Sequence, residues 1–149
     1  MAVKNRLDLT NHPNSLVLEL SIARKKVFFI LVYRKFGQTL MEFNNFIEKF
    51  ETLISKIEQE RPHCTIITGD FNAHCHEWYS GDKTDIYGST LQNLFNNHII
   101  FQLVNQATFI TKNAHTCIDL VATNQPNLIL STEIHPSLHT NSHHQVNFS

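Results

Sequence analysis

A polar stretch that follows an apolar run holds the residues best suited to chemistry. The run begins at Cys64, is typical of a buried strand, and leads into Gly69-Asp70-Phe71-Asn72-Ala73-His74. On an extended chain Asp70 and Asn72 point to one side and Phe71 to the other. A carboxylate and an amide so placed are suited to hold a metal-bound water and a phosphoryl oxygen. Both residue types are also common in Asx turns that close a strand, so both interpretations stay open at this point.

Composition predicts one folded domain without a strong charge. The chain has 149 residues, of which 42% are hydrophobic, and this is enough for one core spanning residues 1–149. The net charge of −1 excludes a strong overall basic field, so any contact with nucleic acid must be local. Lys25-Lys26 and Arg34-Lys35 are candidates for such contacts, although basic pairs are usually solvated strand or turn ends.

The cysteines and the N-terminus indicate an intracellular protein. Cys64, Cys75 and Cys117 are odd in number and lack a paired spacing, which favours a reducing compartment over a disulfide scaffold. The N-terminus lacks the pattern of a signal peptide, and no apolar run approaches the roughly 18 residues of a membrane-spanning helix. We therefore expect a location in the nucleus or cytoplasm and no membrane partner.

The first half of the chain predicts a hairpin, a helix and a strand. Residues 16–22 and 27–33 are strand-like; the first is expected to be an outer strand and the second to be covered on both faces. Apolar residues at helical spacing predict an amphipathic helix over 39–60, which Pro62 ends. The strand from Cys64 follows, and Gly69 within it is expected to let the backbone bend or approach a neighbour closely.

The second half predicts a long loop and several short elements. We expect a loop over 74–88 and a helix over 89–98, followed by strand-like segments listed here in order: 99–103, 108–111, 117–123, one near Ile134, and 146–148. Asp119 interrupts an apolar run, and a buried acid requires a partner. No repeat or domain boundary is evident.

Several short motifs occur together in a characteristic order. They are Tyr33-Arg34, the Gly69–His74 stretch, Trp78, Gly88, Ile118-Asp119-Leu120 and Ser142-His143-His144. From about Ala2 to Phe148 the chain resembles the endonuclease/exonuclease/phosphatase superfamily, and most closely the apurinic-type endonuclease domain of non-LTR (LINE-like) retrotransposons. The resemblance implies an α/β class and a four-layer α/β sandwich, with two mixed sheets face to face and helices outside.

The resemblance also implies a role for each matched residue. Asp70 would orient or deprotonate the attacking water, and Asn72 would donate to the scissile phosphate. Tyr33 would lie beside that phosphate. Asp119 and His144 would form a pair that positions and polarises the phosphodiester. The implied cofactor is Mg²⁺ or Mn²⁺, the implied partner is DNA, and fusion to a reverse transcriptase is possible in a full-length element.

Two departures from the family pattern concern the metal. His143 stands where the family has an aspartate, so Asp70 and His143 are the metal candidates. The family's main metal-binding glutamate and an early asparagine lie upstream of the stretch that resembles Ala2, and Glu19 is too far along to be taken as a replacement. The resemblance thus predicts a domain without its first strands, with little or no nuclease activity unless the upstream strands are restored, and with an unpaired sheet edge that promotes association.

Three functions remain open. The first is a Mg²⁺-dependent endonuclease that nicks DNA for retrotransposition. The second is an inactive retroelement remnant that keeps the fold. The third is a phosphatase of the same superfamily, which the pattern of the Gly69–His74 stretch followed by Trp78 argues against.

The loop after the central motif invites two further interpretations. His74, Cys75, His76 and Glu77 are zinc-ligand types, but adjacent ligands rarely close a tetrahedron, so zinc is not favoured. Trp78 and its neighbour Tyr79 either stack on a base or cover the edge of the core.

Overall fold

A six-stranded mixed sheet dominates the protein. The computed structural model describes residues 1–10, 14–134, 143–144 and 146–148. The elements are β1 (Ala2–Asn5), β2 (Ser15–Ile22), β3 (Lys25–Tyr33), α1 (Leu40–Gln59), β4 (Cys64–Asp70), α2 (Ile86–Asn97), β5 (Phe101–Gln102), β6 (Phe109–Ile110), β7 (His115–Thr116), β8 (Asp119–Thr123), a 3-10 turn at Pro126–Leu128, β9 (Thr132–Ile134) and β10 (Val146–Phe148). The large sheet has the order β1-β2-β3-β4-β8-β5.

The predicted hairpin is β2 and β3. Its two-residue turn places Ala23 at φ 49° and Arg24 at φ 66°, and positive φ at both positions matches the right-handed twist of the flanking strands. Two details of the prediction are wrong. β1 pairs with β2 on its outer side, so β2 is not the edge strand. The side chain of Leu31 in β3 is 45% exposed, so β3 is not covered on both faces.

The long helix agrees with its sequence pattern. Thr39 caps α1: its hydroxyl accepts from the Glu42 N–H at 3.2 Å, and the Glu42 carboxylate accepts from the Thr39 N–H at 2.7 Å. The buried stripe consists of Phe43, Phe46, Phe50, Leu53, Ile54 and Ile57. α1 connects β3 to β4, which are parallel neighbours and therefore need a crossover connection of this length.

The second helix begins earlier than the pattern of its core residues suggests. The Asp85 carboxylate accepts from the Gly88 N–H at 2.7 Å, so α2 starts at Ile86 and the preceding loop is shorter than expected. Hydrophobic periodicity did not predict the first turn of α2, because that turn has no large buried side chain. The predicted stripe of Leu91, Leu94 and Phe95 is buried.

Both helices pack on one face of the sheet. Alternate strand residues such as Val17, Phe28 and Ile30 lie in the same core cluster as the buried stripes of α1 and α2. The Phe71 ring links the helices, with its centroid 6.0 Å from that of Phe50 and 6.3 Å from that of Phe95. The α/β class is therefore confirmed.

Two short ladders accompany the large sheet, β6 with β7 and β9 with β10. The prediction of strands near Ile134 and at 146–148 is confirmed, whereas the bend between them lies mostly outside the described residues. Over the described ranges, neither helix combines the length and apolar character needed to cross a bilayer.

Candidate active site

Three predicted site residues share one row of the sheet. Tyr33 ends β3 and pairs in register with Asp70, which ends β4, and Asp70 pairs in turn with Asp119 at the start of β8. Residues in register on adjacent strands point to the same face. The sheet therefore places a phenol and two carboxylates side by side. Tyr33 is 51% exposed, so its ring is open to a ligand on this face.

A histidine from the C-terminal segment joins this row. The His144 Nδ1 lies 2.8 Å from Asp119 Oδ2 and 2.9 Å from Oδ1, while its Nε2 lies 4.0 Å from Asp70 Oδ2. Asp119 thereby receives the partner that a half-buried acid needs. The hydrogen bond through Nδ1 also orients the imidazole, so its Nε2 faces Asp70.

The β6–β7 ladder holds His144 in place. Phe109 of β6 forms an isolated bridge with His144, and their ring centroids are 5.2 Å apart. The next N–H along, that of Ile110, donates to the His143 carbonyl at 3.1 Å. The side chain of His144, 25 positions after Asp119, is thus brought to it by pairing with β6, a short strand that precedes both residues in the sequence.

Asn72 reaches the site through a turn and not through an extended strand. β4 ends at Asp70, and Asn72 has φ 45°, in the left-handed region. Its N–H donates to Asp70 Oδ1 at 3.0 Å, so of the two conformations left open by the sequence the structure has the Asx turn. Phe71 between them is fully buried and anchors the turn.

The Asn72 side chain is also held. Its Nδ2 donates to the Arg34 carbonyl at 2.8 Å. An amide nitrogen carries two N–H groups, and this bond occupies one of them. The bond fixes which end of the amide is the donor.

The environment of Asp70 disfavours its negative charge. Burial raises the pKa of Asp70, and the charge of Asp119 raises it further, while the Asn72 N–H and His144 act in the opposite direction. Two carboxylates in adjacent register positions repel each other. A cation beside them would relieve that repulsion.

The donor set fits a divalent cation. Asp70, Asp119 and His144 each offer one ligand atom, and these atoms all lie within 4.8 Å of one another. Carboxylate oxygens suit Mg²⁺ and Mn²⁺, which are commonly held by one or two acids with waters and substrate phosphate. Among the residues that the structure describes, this is the one such group of His, Cys, Asp and Glu side chains.

The other metal candidates lie elsewhere. The His143 ring is exposed and packs on Phe109 at a centroid distance of 5.7 Å, and it is outside this group. Glu19 accepts a hydrogen bond from Arg6 at 2.7 Å. Its carboxylate is therefore engaged in an ion pair.

Trp78 and Cys75 of the long loop serve the fold. Trp78 is 5% exposed, packs at 6.4 Å from the Phe95 ring, and donates from its indole N–H to Gln92. Of the two interpretations of Trp78, the structure supports the core edge. Cys75 is 2% exposed within the hydrophobic core, so it is not available to bind zinc with its neighbours.

A cavity opens beside the cluster formed by Asp70, Asp119 and His144. Its volume is about 380 Å³, and its wall includes Asn72 and His144 together with the apolar groups of Phe36, Phe109 and Ile118. One side of this cavity is therefore polar and adjoins the acids, and the remainder is largely apolar.

Two supporting residues were missed by reasoning from the sequence. Arg34 was expected to be solvated, but it is 2% exposed and binds the turn that carries Asn72. Thr108 is fully buried, and its hydroxyl accepts from the N–H groups of Ile118 at 3.1 Å and Asp119 at 3.0 Å. The sequence contains one indication of a role for Arg34, its position beside Tyr33 in a family motif. It contains no indication of a role for Thr108.

Comparison with solved structures supports the fold. The endonuclease domain of TRAS1, a telomere-specific non-LTR retrotransposon, matches with a TM-score of 0.81 at 18% identity, over 99% of this chain and 68% of that one. The 3′ phosphatase NExo from Neisseria, bound to a product DNA hairpin, matches with a TM-score of 0.65 at 14% identity, over 100% of this chain and 71% of that one. The catalytic domain of APE2 from Xenopus laevis matches with a TM-score of 0.66 at 18% identity, over 93% of this chain and 55% of that one.

The sequence itself also matches a family model. No curated protein sequence matches the chain. The model described as endonuclease-reverse transcriptase matches residues 27–147, which include most of β3, all of β4 and β8, and Asp70, Asp119 and His144. Hydrolysis of phosphate esters is common to the endonucleases and the phosphatase named above. The chain therefore belongs to the endonuclease-reverse transcriptase family, within the endonuclease/exonuclease/phosphatase superfamily.

Proposed function

We propose that this chain is a divalent-metal-dependent endonuclease domain that nicks DNA during retrotransposition. The observation that carries the proposal is the convergence of Asp70, Asn72 and the Asp119–His144 pair at one end of the sheet. These groups supply a base, an amide donor and an oriented imidazole, which are the groups that hydrolysis of a phosphodiester requires. The match to the TRAS1 endonuclease domain supports the retrotransposon role.

Asp70 activates the water. Its Oδ1 is occupied by the Asn72 N–H at 3.0 Å, which leaves Oδ2 to accept a hydrogen bond from a water on the open side of the sheet. The raised pKa of Asp70 brings its proton affinity closer to that of a useful general base. The water attacks phosphorus in line with the leaving oxygen: its proton passes to Asp70 Oδ2, the bond from phosphorus to the leaving oxygen breaks, and that oxygen takes a proton from solvent.

Asn72 and His144 bind the phosphate. The second N–H of the Asn72 amide donates to a non-bridging oxygen, since the first is held by the Arg34 carbonyl. His144, as an imidazolium with its Nδ1–H on Asp119, donates from Nε2–H to another oxygen of the same phosphate. Donors fixed in advance stabilise the charge of the transition state without reorganisation.

A divalent cation would be held by Asp70 and Asp119, with His143 as a further candidate ligand. When bound there, it would supply Lewis-acid stabilisation of the phosphate charge. The fit of the two carboxylates to such an ion supports this part of the proposal.

The cavity beside the cluster supports DNA as the substrate. Its apolar wall suits the sugar and base next to the scissile phosphate, and its volume of about 380 Å³ accommodates one nucleoside. Because the net charge is −1, we attribute DNA binding to local contacts of this kind. We further propose an intracellular site of action and, in a full-length element, fusion to a reverse transcriptase.

Nicking of supercoiled plasmid with titrated Mg²⁺ tests the proposal. We expect nicking that depends on Mg²⁺ and is weak in this chain, with a loss of about 10²- to 10⁴-fold in Asp70→Ala and His144→Ala. His98→Ala is the matched control, because His98 pairs with Glu58 at 2.9 Å on the helices. Equal nicking by wild type and both site variants would contradict the proposal. A changed Mg²⁺ requirement in His143→Ala would support that residue as a ligand.

A non-catalytic remnant is the second candidate. It is favoured by one observation: the candidate metal group contains two acids, while Glu19 is committed to Arg6. Absence of nicking by a folded wild-type chain would support this candidate and contradict the first.

A further inference from the structure

Arg34 binds the turn that forms the site. It follows Tyr33 directly, and three of its donors go to three successive carbonyls. Its N–H donates to the Asp70 carbonyl at 2.8 Å, its Nε donates to Phe71, and its Nη2 donates to Asn72. Backbone carbonyls in a turn that leaves a sheet lack ladder partners, so the guanidinium satisfies groups that would otherwise be costly to bury.

The contact is reciprocal. The Asn72 amide donates back to the Arg34 carbonyl at 2.8 Å. One residue therefore fixes both the main chain of Asn72, through its guanidinium, and the side chain of Asn72, through its carbonyl. The left-handed φ of Asn72, 45°, is accessible to asparagine, and the contacts with Arg34 hold the residue in it.

The guanidinium is itself held on all sides. It lies over the Tyr87 ring at 4.5 Å and the Phe43 ring at 5.3 Å, and its Nη1 donates to Gln38 Oε1 at 3.1 Å. Tyr87 is fixed in turn by its hydroxyl, which donates to the Gln38 carbonyl at 3.0 Å. At 2% exposure, Arg34 cannot contact a substrate. It is therefore not a catalytic residue.

We infer that Arg34 is a positioning residue, which aims the Asn72 amide and the Asp70 carboxylate by clamping the carbonyls of Asp70, Phe71 and Asn72. The inference rests on the proposed function for its kinetic consequence. A lysine cannot replace this role, because an ammonium is a point charge and cannot direct donors to two carbonyls and an amide in one plane. The buried Arg of the motif thus acts on the phosphate through Asn72.

Kinetics with short DNA substrates test this role. We expect Arg34→Lys to lower kcat by about 100-fold with little change in KM, as for a catalytic group displaced by about 1 Å. Arg34→Ala should be rescued by millimolar guanidinium, which fits between Tyr87 and Phe43. Adding Arg34→Ala to Asn72→Ala should cause little further loss, because the two residues act as one unit.

Arg6 provides the matched control. It is also a buried arginine, 8% exposed, and lies over the Phe28 ring at 5.5 Å, away from the site. Arg6→Lys and Arg6→Ala should lower stability without the selective fall in kcat and without guanidinium rescue. An Arg34→Lys enzyme with unchanged kcat, or losses in the double variant that multiply in full, would overturn the inference.

A readout without catalysis separates the two proposals. In the chain with ¹⁵N-labelled asparagine, Arg34→Lys should shift the backbone and side-chain amide signals of Asn72, whereas Arg6→Lys should leave them in place. If the wild-type chain does not nick DNA, the proposed function fails while these shifts still support the clamp. Unchanged Asn72 signals in a folded Arg34→Lys protein would overturn the clamp whether or not the wild type nicks DNA.

Discussion

Asp70 is a single residue whose charged form lowers the stability of the folded protein. It is held in place by the Asn72 N–H, yet it lies half-buried beside Asp119, and both burial and that neighbour raise its pKa. When the pKa of a carboxyl is higher in the folded chain than in the unfolded chain, the folded chain binds more protons at every pH between these two pKa values. Stability therefore falls as pH rises through this window.

We predict that Asp70→Asn is more stable than the wild type at pH 7 in buffer free of divalent metal. The amide keeps an acceptor for the Asn72 N–H and removes the repulsion from Asp119. Because the unfolded carboxyl has a pKa of 3.8, the two proteins should converge in stability below about pH 4. Thermal unfolding at several pH values measures the difference in stability between the two proteins.

Two controls accompany this measurement. Glu48→Gln, on the exposed face of α1, should leave the pH profile unchanged. Addition of Mg²⁺ should reduce the difference in stability between Asp70→Asn and the wild type. It should stabilise the wild type alone, since binding to the folded state adds stability. An Asp70→Asn protein less stable than the wild type at pH 7 would contradict the argument.

At the scale of elements, an ion-pair cluster joins α1 to the outer strands. Arg6 follows β1 and donates to Glu19 of β2 at 2.7 Å and to Glu60, the C-cap residue of α1, at 2.6 Å. Lys26 at the start of β3 also donates to Glu60 at 2.9 Å. Hydrogen bonds from Arg6 lower the pKa of Glu60 to about 2. The cluster links one end of the helix to three strands.

We predict that Glu60→Gln costs about 2 kcal/mol at pH 7, because a charge-assisted hydrogen bond becomes a neutral one. Since the folded pKa of Glu60 is depressed, its stabilisation is full above pH 4.5 and is lost as pH falls towards 2. The difference between variant and wild type should therefore shrink over that range. Urea unfolding from pH 7 to pH 2.5 checks this, and an equal difference throughout would argue against it.

For the whole molecule, the two faces of the sheet differ. One face is covered by α1 and α2, whereas the other leaves Leu16 36% and Leu31 45% exposed on neighbouring strands, in register with each other. Contiguous exposed apolar groups promote association. We propose that this domain lacks its first strands and that, in a longer chain, an added segment covers this face.

We predict that the 149-residue chain self-associates through this face. Leu31→Lys should shift it towards monomer in sedimentation or sizing experiments, because a charge cannot be buried there without a partner. Leu128→Lys is the control, since Leu128 is 49% exposed on the 3-10 turn. A monodisperse wild-type monomer would rule out this prediction.

Local pattern determined most of the elements. The hairpin, α1 and β4 follow from periodicity, and Thr39 with Glu42 marks the start of α1 in the sequence itself. The family assignment likewise followed from the order of short motifs, which needs no structure. The start of α2 was misplaced because Asp85, a cap, lies ahead of the buried stripe.

Only the tertiary structure decided how the site is built. The binding of the Asn72 carbonyl by Arg34 and the support of Asp119 by Thr108 each join residues 11 or more positions apart. So does the pairing of His144 with Asp119. Burial in the folded protein raises the pKa of Asp70, and the charge of Asp119, which β8 brings beside β4, raises it further. Periodicity reports which face of an element is apolar, whereas these contacts depend on which elements become neighbours, and that depends on the packing of the whole core.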